Sequence, residues 1–136
     1  VNAYVAPRIA RYVDNLSATL REAGYRGPLL IMQSTGGVMP PEHVRRQAVS
    51  LLGSGPTGGV MGAAVAAERG SEPDFVAVDM GGTSFDVCLL EHGEIPTTSE
   101  GWVGDERITV KMVDNLTVGA GVVWTPWRSG EDAGAQ

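Results

Sequence analysis

The sequence is poor in the residues that build disulfides, zinc sites and nucleic-acid surfaces. Its one cysteine, Cys88, excludes an internal disulfide and is typical of a reducing cytosol. Two histidines, His43 and His92, argue against a structural zinc site. The ten Lys and Arg residues are scattered and the net charge is −6, whereas nucleic-acid binding needs clustered cations. No apolar run is long enough to span a membrane, so we expect a cytoplasmic protein with neither nucleic acid nor membrane as a partner.

The composition is that of a folded protein. The 136 residues are 43% hydrophobic, and a chain of this length buries about two thirds of its unfolded surface. The length predicts one domain or one piece of a larger chain. Because the sequence opens on Val1 and turns at once to a helical pattern, we expect a fragment of a longer protein. A site shared with other parts of that protein would then be only half present.

The first half of the chain alternates helical and strand-like patterns. Residues 7–23 predict a helix with one apolar stripe, in which Pro7 suits the first turn and Gly24 the C-terminal stop. The stripe consists of Ile9, Tyr12, Val13, Leu16, Leu20 and Ala23. The segments that follow predict a buried strand (29–32), a loop (33–41), a short helix (41–47) and a second strand (48–52).

A glycine-rich segment over 53–70 predicts a helix with a small-residue face. Ser54 or Gly55 can cap it, Pro56 suits its first turn and Gly70 its end. The face would comprise Gly59, Gly62, Ala63 and Ala66. Each helical glycine costs about 1 kcal/mol relative to alanine, which indicates that a backbone approaches closely. Tight helix-on-sheet packing and a phosphate at the helix N-terminus both explain this pattern.

The centre of the chain reads "DFVAVDMGGTSFDVCLL". Its two apolar runs predict strands over 75–79 and 85–90, and a tight turn over 91–94 leads into "IPTT". We expect these three strands to form an antiparallel meander. Together with the helices they predict an α/β fold, a mixed sheet with flanking helices.

The connection between the first two of these strands is richer in polar residues than a hairpin requires. Gly81 and Gly82 let backbone N–H groups converge on an anion, and Thr83 and Ser84 add hydroxyl donors. Asp79 and Asp86, at the two strand ends, could hold Mg²⁺ directly or through water. The alternative is a plain glycine-rich hairpin in which Asp79 caps the turn.

Wider motifs carry a resemblance to a known family. The segment "VDMGGTSFDV" resembles the phosphate loop of the actin-like (ribonuclease H-like) ATPase superfamily. Over about residues 1–121, "IMQSTGGVMPPE", "LLGSGPTGGVMGA", "AVDMGGTSFDVCLLEHGE", "TTSEGWVGDERITVKMVD" and "TVGAG" resemble the large, A-type subunit of the hydantoinase/oxoprolinase family in order and spacing.

The resemblance implies an ATP- and Mg²⁺-dependent enzyme that opens a cyclic amide, a hydantoin or 5-oxoproline, by phosphorylating the amide oxygen. A B-type subunit is the implied partner. Gly81, Gly82 and Thr83 would contact phosphate, whereas Asp79 and Asp86 would organise Mg²⁺ or an attacking water. Roles for Ser34–Gly37 and Ser54–Gly59 are left open, although both match family motifs. The resemblance also implies a second phosphate-binding hairpin elsewhere in the protein. The isolated chain would lack that hairpin and would be inactive.

The chain also departs from the family pattern near its C-terminus. Leu116 stands where the family has histidine, and a leucine can neither ligate a metal nor move a proton. Bulky Val122, Val123 and Trp124 replace small loop residues. We therefore divide the chain into an ATPase-domain segment, 1–124, and an irregular or non-native tail, 125–136.

Three other functions remain open from the sequence. The chain can be a non-catalytic fragment with a structural or subunit-contact role, which the departures favour. It can belong to an ATP-dependent ketone carboxylase, since related enzymes carboxylate ketones. A sugar-kinase-type phosphotransferase shares the hairpin but lacks the surrounding motifs.

Overall fold

The computed structural model describes residues 1–103 and 105–119. The helices are α1 (Asn2–Glu22), α2 (Pro41–Val44), a 3₁₀ helix (Ala48–Leu51) and α3 (Ser54–Gly70). The strands are β1 (Ile31–Met32), β2 (Val38–Met39), β3 (Phe75–Met80), β4 (Phe85–Leu90), β5 (Thr97–Thr98), β6 (Gly101–Val103), β7 (Glu106–Ile108), β8 (Met112–Val113) and β9 (Leu116–Val118). The predicted α/β fold is confirmed, and every strand pair within the described ranges is antiparallel.

Helix α1 begins five residues earlier than predicted, so Pro7 lies inside the helix. Asn2 anchors the start, because its side chain accepts a hydrogen bond from the Val49 amide (2.9 Å) and donates to the Arg46 carbonyl (3.3 Å). The predicted stop is confirmed: Gly24 has φ +89°, and the two amides after the C-cap donate back to the last turn. Among the described helices, none combines the length and apolar composition that crossing a membrane requires.

The segment between α1 and α3 differs from the prediction in two places. The predicted loop over 33–41 contains β2, which pairs with β1 as a short hairpin. The predicted strand over 48–52 is wrong, since residues 48–51 form a 3₁₀ helix. Ser50 explains the difference, because its amide and hydroxyl both donate to the Gln47 carbonyl, at 3.0 and 2.7 Å, and so close a local turn. The predicted short helix is confirmed over its first four residues, as α2.

Helix α3 forms where the glycine-rich segment predicts it. Its N-cap is Gly53 in the left-handed conformation (φ +74°), not Ser54 or Gly55, and no side chain caps it. Pro56 lies in the first turn as expected. Thr57, fully buried, donates its hydroxyl hydrogen to the Gly53 carbonyl (3.0 Å) and so closes this first turn.

The main sheet has three strands in the order β3-β4-β9. The hairpin of β3 and β4 is confirmed, but the third strand of the predicted meander is wrong. The "IPTT" segment leaves the sheet, and its Thr97–Thr98 pairs with β8 instead. Pro96 accounts for this, because it has no N–H to donate to a ladder. Strand β9 takes the place beside β4.

Two small cores hold these elements together. One lies between α3 and the inner face of the sheet and contains Val60, Ala77, Cys88, Leu90 and Val113. The other lies between α1, β2 and α2 and contains Val13, Met39 and Val44. The first core is the one that supports the hairpin at Asp79.

Leu89 and Leu90 provide a matched test of which sheet face is packed. Leu90 is fully buried against α3, whereas Leu89 is 53% exposed on the opposite face. Leu90→Ala should lower the free energy of unfolding by about 2–5 kcal/mol because it leaves a cavity. In the same 136-residue chain Leu89→Ala should change it by less than about 0.5 kcal/mol. Urea denaturation measures both, and equal losses would contradict the described faces.

Candidate functional site

The hairpin of β3 and β4 places two carboxylates directly opposite each other. Asp79 is paired with Asp86 in the ladder, and directly opposed residues point to the same face of a sheet. Their Cβ atoms are therefore about 4.5–5.5 Å apart. The structure thus brings together the two acidic residues that the sequence analysis singles out. Both lie on the inner face, toward α3.

The turn over 81–84 joins the strands just beyond this carboxylate pair. The Gly81 amide donates to the Ser84 carbonyl (3.0 Å), so this N–H is already paired. Gly82 and Thr83 are exposed, and their amides donate to no group in the described part of the chain. No atom lies within 4 Å of a Cβ built on Gly81, so the turn is open from that side. Two adjacent exposed amides and the Thr83 hydroxyl can donate to one anion.

Asp86 is a buried, fully hydrogen-bonded carboxylate. It is 6% exposed and accepts hydrogen bonds from the Ser84 hydroxyl (2.9 Å), the Asn115 amide (3.2 Å) and the Thr117 hydroxyl. These contacts tie the hairpin to β9 and to the residue before it. The Ser84 hydroxyl hydrogen is used here, so in this arrangement it is not available to a phosphate.

Asp79 differs from Asp86 in being exposed and in accepting no hydrogen bond from a described residue. Gly59 of α3 lies against it: a Cβ built on Gly59 would be 3.3 Å from Asp79 Oδ2. Both residues line a pocket of about 10 Å³, together with others that include Pro56, Asp86 and Asn115. Asp79 is therefore the carboxylate that a cation or a water molecule can reach.

A cation near Asp79 and Asp86 would offset the repulsion between these two carboxylates. Like charges directly opposite each other on neighbouring strands are destabilising, and these two share one face. In the described ranges, no three His, Cys, Asp or Glu side chains cluster closely enough to bind one ion by themselves. A metal held here would accordingly take most of its ligands from water or a bound anion, as Mg²⁺ commonly does.

Sequence reasoning misses two residues that shape this site, Asn115 and Thr117, and does not identify the group that Gly59 meets. The prediction of a close backbone approach is confirmed for Gly59, but at Gly62 a Cβ would meet nothing within 4 Å. Asn115 and Thr117 stand on either side of Leu116, and this alternation is the signal of a strand with a polar face. Their connection to Asp86, about 30 residues away in the chain, exists only in the folded sheet.

The Ser34–Gly37 motif contacts α3 and β8 instead of the hairpin. The Ser34 carbonyl accepts a hydrogen bond from the Val113 amide (2.7 Å) and a longer one from the Thr57 hydroxyl (3.4 Å). Gly36 has φ +87° and lies under Met61. These contacts join the β1–β2 hairpin to α3 and β8, which is a packing role.

Three further titratable side chains, Cys88, His43 and His92, lie outside the Asp79–Asp86 pair. Cys88 is buried and its thiol lies 3.3 Å from the Asp114 carbonyl; burial first, and then the Asp114 charge, raise the pKa of that thiol. A raised pKa keeps the thiol protonated and unreactive at neutral pH. His43 is exposed, and His92 is a turn residue with φ +57°.

Comparison with known proteins identifies the family. The family model for "Hydantoinase/oxoprolinase" matches residues 1–131, nearly the whole chain. The chain belongs to the hydantoinase/oxoprolinase family. This confirms the resemblance seen in the motifs, and the match continues past Gly121, where the recognised motifs end.

Two curated relatives in this family have different activities in their names. The chain is 35% identical to caprolactamase subunit alpha of Pseudomonas jessenii over 121 residues. This aligned region covers 89% of the chain and 17% of that protein. The chain is 33% identical over 122 residues to the acetophenone carboxylase gamma subunit of Aromatoleum aromaticum, covering 89% and 16%. The chain thus spans about a sixth of the length of these relatives.

A solved structure of the family shares the fold. The nucleotide-free structure of acetone carboxylase, from a study of ATP-dependent acetone carboxylation, matches with a TM-score of 0.72 at 28% identity. The match covers 85% of this chain and 16% of that one. The α/β unit described above is therefore an ATPase-like domain segment found within a much longer family chain.

Leu116, which the sequence analysis places at a histidine position of the family pattern, lies away from the carboxylates. It lies in β9, pairs with Val87 of β4 and is 67% exposed on the outer face of the sheet. The side chains of Asp86 and Thr117 are on the inner face. Leu116 therefore takes no part in the hydrogen bonds of Asp86. The predicted tail over 125–136, and the bulky residues at 122–124, lie outside the described residues.

Two glycines of α3 test the close approach at Asp79. Gly62→Ala should raise the free energy of unfolding by about 0.5–1 kcal/mol, because an exposed helical alanine replaces a glycine without steric conflict. Gly59→Ala should give no such gain, since its Cβ would crowd the Asp79 carboxylate. Urea denaturation of the two variants compares them directly. An equal gain in both would mean that α3 does not touch Asp79.

Proposed function

We propose that this chain is the nucleotide-binding segment of an ATP-dependent enzyme that hydrolyses a cyclic amide. The observation that carries the proposal is the pairing of Asp79 with Asp86 beside an exposed turn with two adjacent amides that donate to no described residue. Acidic residues next to an anion-binding turn would repel the anion unless a cation joined them. Phosphate with Mg²⁺ satisfies both halves of the arrangement.

The residues present fit a magnesium–phosphate group, with roles divided among them. The Gly82 and Thr83 amides and the Thr83 hydroxyl are available to phosphate oxygens. Asp79 is available to Mg²⁺ or to one of its waters. Asp86 holds the turn in place through Ser84 and serves as a second, more distant negative charge. Gly81 shapes the turn and contributes no free N–H.

The chemistry at this site follows from those roles. Bound Mg²⁺–ATP would supply the phosphoryl group that makes an amide carbon reactive toward water. The exposed Asp79 carboxylate can accept a proton from an attacking water or orient a metal-bound one. The turn amides can stabilise negative charge on the phosphate as it develops. Asp86 is already saturated with donors and acts by positioning.

A cleft next to the hairpin suits the cyclic amide. It has a volume of about 300 Å³ and is lined by residues from α3, β6, β8 and β9, including Pro56, Trp102, Asn115 and Thr117. Pro56 and Asn115 also line the pocket at Asp79. This volume is at the lower end of small-molecule pockets, as a lactam or hydantoin requires. A larger cavity of about 640 Å³ lies between the end of α1 and Pro40–Glu42 and has no residue of the hairpin.

We infer the chemical class of the substrate from the two kinds of activity for which members of the family are named. Caprolactam is a cyclic amide, and the relative named for it is 35% identical to this chain. Ketone carboxylation is the second candidate, favoured by the match to the acetophenone and acetone enzymes. Both would use the same phosphate turn. For either activity we predict a partner subunit and a cytoplasmic location. For a hydrolase, the predicted partner is a B-type subunit.

Asp79→Asn tests the site in the complete gene product. It should lower lactam- or hydantoin-stimulated ATP hydrolysis by about 100-fold or more, because a charge at the reacting group is lost. Thermal stability should not fall, since Asp79 is exposed and bonds to no described residue, and removing one of two opposed charges relieves their repulsion. The control is Asp14→Asn. Asp14 is an exposed carboxylate on α1 that pairs with Arg45, and this variant should keep activity.

Two results would reject the proposal. Unchanged turnover in Asp79→Asn would mean that this carboxylate is outside the reaction. Stimulation by a ketone with bicarbonate, and by no cyclic amide, would select the carboxylase instead. Calorimetry with Mg²⁺–ATP on the 136-residue chain addresses the remaining alternative, because micromolar binding would contradict a purely structural fragment.

A further inference from the structure

Two cavities in the described part of the chain meet at Asn115. The cleft of about 300 Å³ and the pocket of about 10 Å³ at Asp79 have two lining residues in common, Pro56 and Asn115. A proline side chain carries no polar group, and its backbone has no N–H. Among the described residues, Asn115 is therefore the one with a polar side chain that borders both cavities.

The orientation of the Asn115 side chain is fixed by Asp86. The Asn115 amide nitrogen lies 3.2 Å from Asp86 Oδ1. A carboxylate only accepts hydrogen bonds, so the NH₂ group of Asn115, and not its carbonyl oxygen, must face Asp86. The Ser84 and Thr117 hydroxyls bond to the same carboxylate and hold it in place. Asn115 is half-buried, so its amide is presented in one orientation at the boundary between the two cavities.

The Asn115 amide keeps two hydrogen-bonding groups that the described residues do not use. A side-chain amide has an oxygen acceptor and two N–H donors, and Asp86 takes one of those donors. Within residues 1–103 and 105–119, no group donates to Asn115 Oδ1, and the second N–H has no acceptor. One acceptor and one donor are therefore available to a ligand.

The other charged and hydroxyl side chains of the cleft are less suited to a ligand that reaches the hairpin. They belong to Thr98, Glu100, Asp114 and Thr117. Both threonine hydroxyls donate to protein oxygens, and the glutamate forms an ion pair with an arginine of β7. The aspartate is exposed, and none of the four residues lines the pocket at Asp79. Asn115 is thus the polar group through which a ligand in the cleft can be directed toward Asp79.

A cyclic amide has the groups that complement the Asn115 side chain. In a small ring the amide is cis, so its N–H donor and its carbonyl acceptor lie side by side on one edge. We propose, on the basis of the cyclic amide hydrolysis proposed above, that Asn115 is the residue that determines specificity for the amide. Its Oδ1 accepts a hydrogen bond from the N–H of the ring, while Asp86 holds its NH₂ group.

This contact sets both the position of the ring and the choice of substrate. With its N–H on Asn115, the ring lies in the cleft beside the apolar side chains of Trp102, Ile108 and Met112. The amide then faces the pocket at Asp79, next to the turn over 81–84. A site that hydrogen-bonds a substrate N–H rejects an analogue without it, because the acceptor of the site is left unpaired. Ketones, which have no N–H, are disfavoured for this reason.

Methylation of the substrate nitrogen tests the contact in the complete gene product. Stimulated ATP hydrolysis is measured with caprolactam, 5-oxoproline and hydantoin, each beside a form methylated on the nitrogen of the amide that is opened. In the native protein kcat/KM should be at least about tenfold higher for the N–H form. Asn115→Leu resembles asparagine in shape but has no acceptor, and it should lower this ratio at least about tenfold. Asn115→Ala is a second variant with the same expected result.

Thr117→Val is the matched control. It removes another donor to Asp86 from the same strand region, so any damage that acts through this carboxylate appears here as well. Such damage should lower kcat/KM for the N–H form and for the methylated form by the same factor. The ratio between the two forms should therefore stay at its native value.

The results separate this contact from the proposed function. A ratio that falls in the Asn115 variants and not in Thr117→Val supports the contact. Equal losses for both forms in the Asn115 variants, or an equal fall of the ratio in Thr117→Val, would mean that Asn115 acts only through Asp86. Equal use of both forms by the native protein would mean that the N–H is not recognised. Each of these results overturns the contact and leaves amide hydrolysis standing, whereas stimulation by none of the cyclic amides overturns both.

Discussion

The register of β3 against β4 is the constraint on which the site and both faces of the sheet depend. Side chains alternate with a period of two, so a slip of one residue would exchange the two faces of a strand. The observed register places Asp79 opposite Asp86 and sends Ala77, Cys88 and Leu90 toward α3. A slipped strand would bury valine where Asp86 finds its three donors. The register is therefore held by burial and by polar contacts together.

Most of the polar contacts that hold the register are made by Asp86. A buried carboxylate is costly unless it is hydrogen-bonded, and its donors come from the turn and from the region of β9. Asn115 and Thr117 can satisfy Asp86 only when β9 is aligned with β4. Asp79, on the same face, carries no such contacts and remains accessible. Two similar carboxylates thus have different roles because only one of them is buried.

The unit is small for the number of surfaces it presents. The turn over 81–84, a 300 Å³ cleft and an apolar sheet face surround one hairpin. This is what is expected of a segment within a long polypeptide, since the relatives are about six times its length. The family membership and the fold shared with acetone carboxylase agree on this point.

The sequence by itself determined the family, the α/β class, the helices over most of their length, the central hairpin and the acidic pair beside it. These features follow from periodicity and from local motifs, which act within about ten residues. It did not determine the 3₁₀ helix at Ala48–Leu51 or the departure of "IPTT" from the sheet, because Ser50 acts through two local hydrogen bonds and Pro96 through the lack of an N–H, and periodicity registers neither.

Only the tertiary structure decided that Asn115 and Thr117 bond to Asp86, that Gly59 touches Asp79 and Gly62 touches nothing, and that Leu116 faces outward. Each of these depends on which side of a strand or helix meets another element 20 or more residues away. Local patterns contain the alternation but not the partner, and the partner alone distinguishes a buried carboxylate from an accessible one.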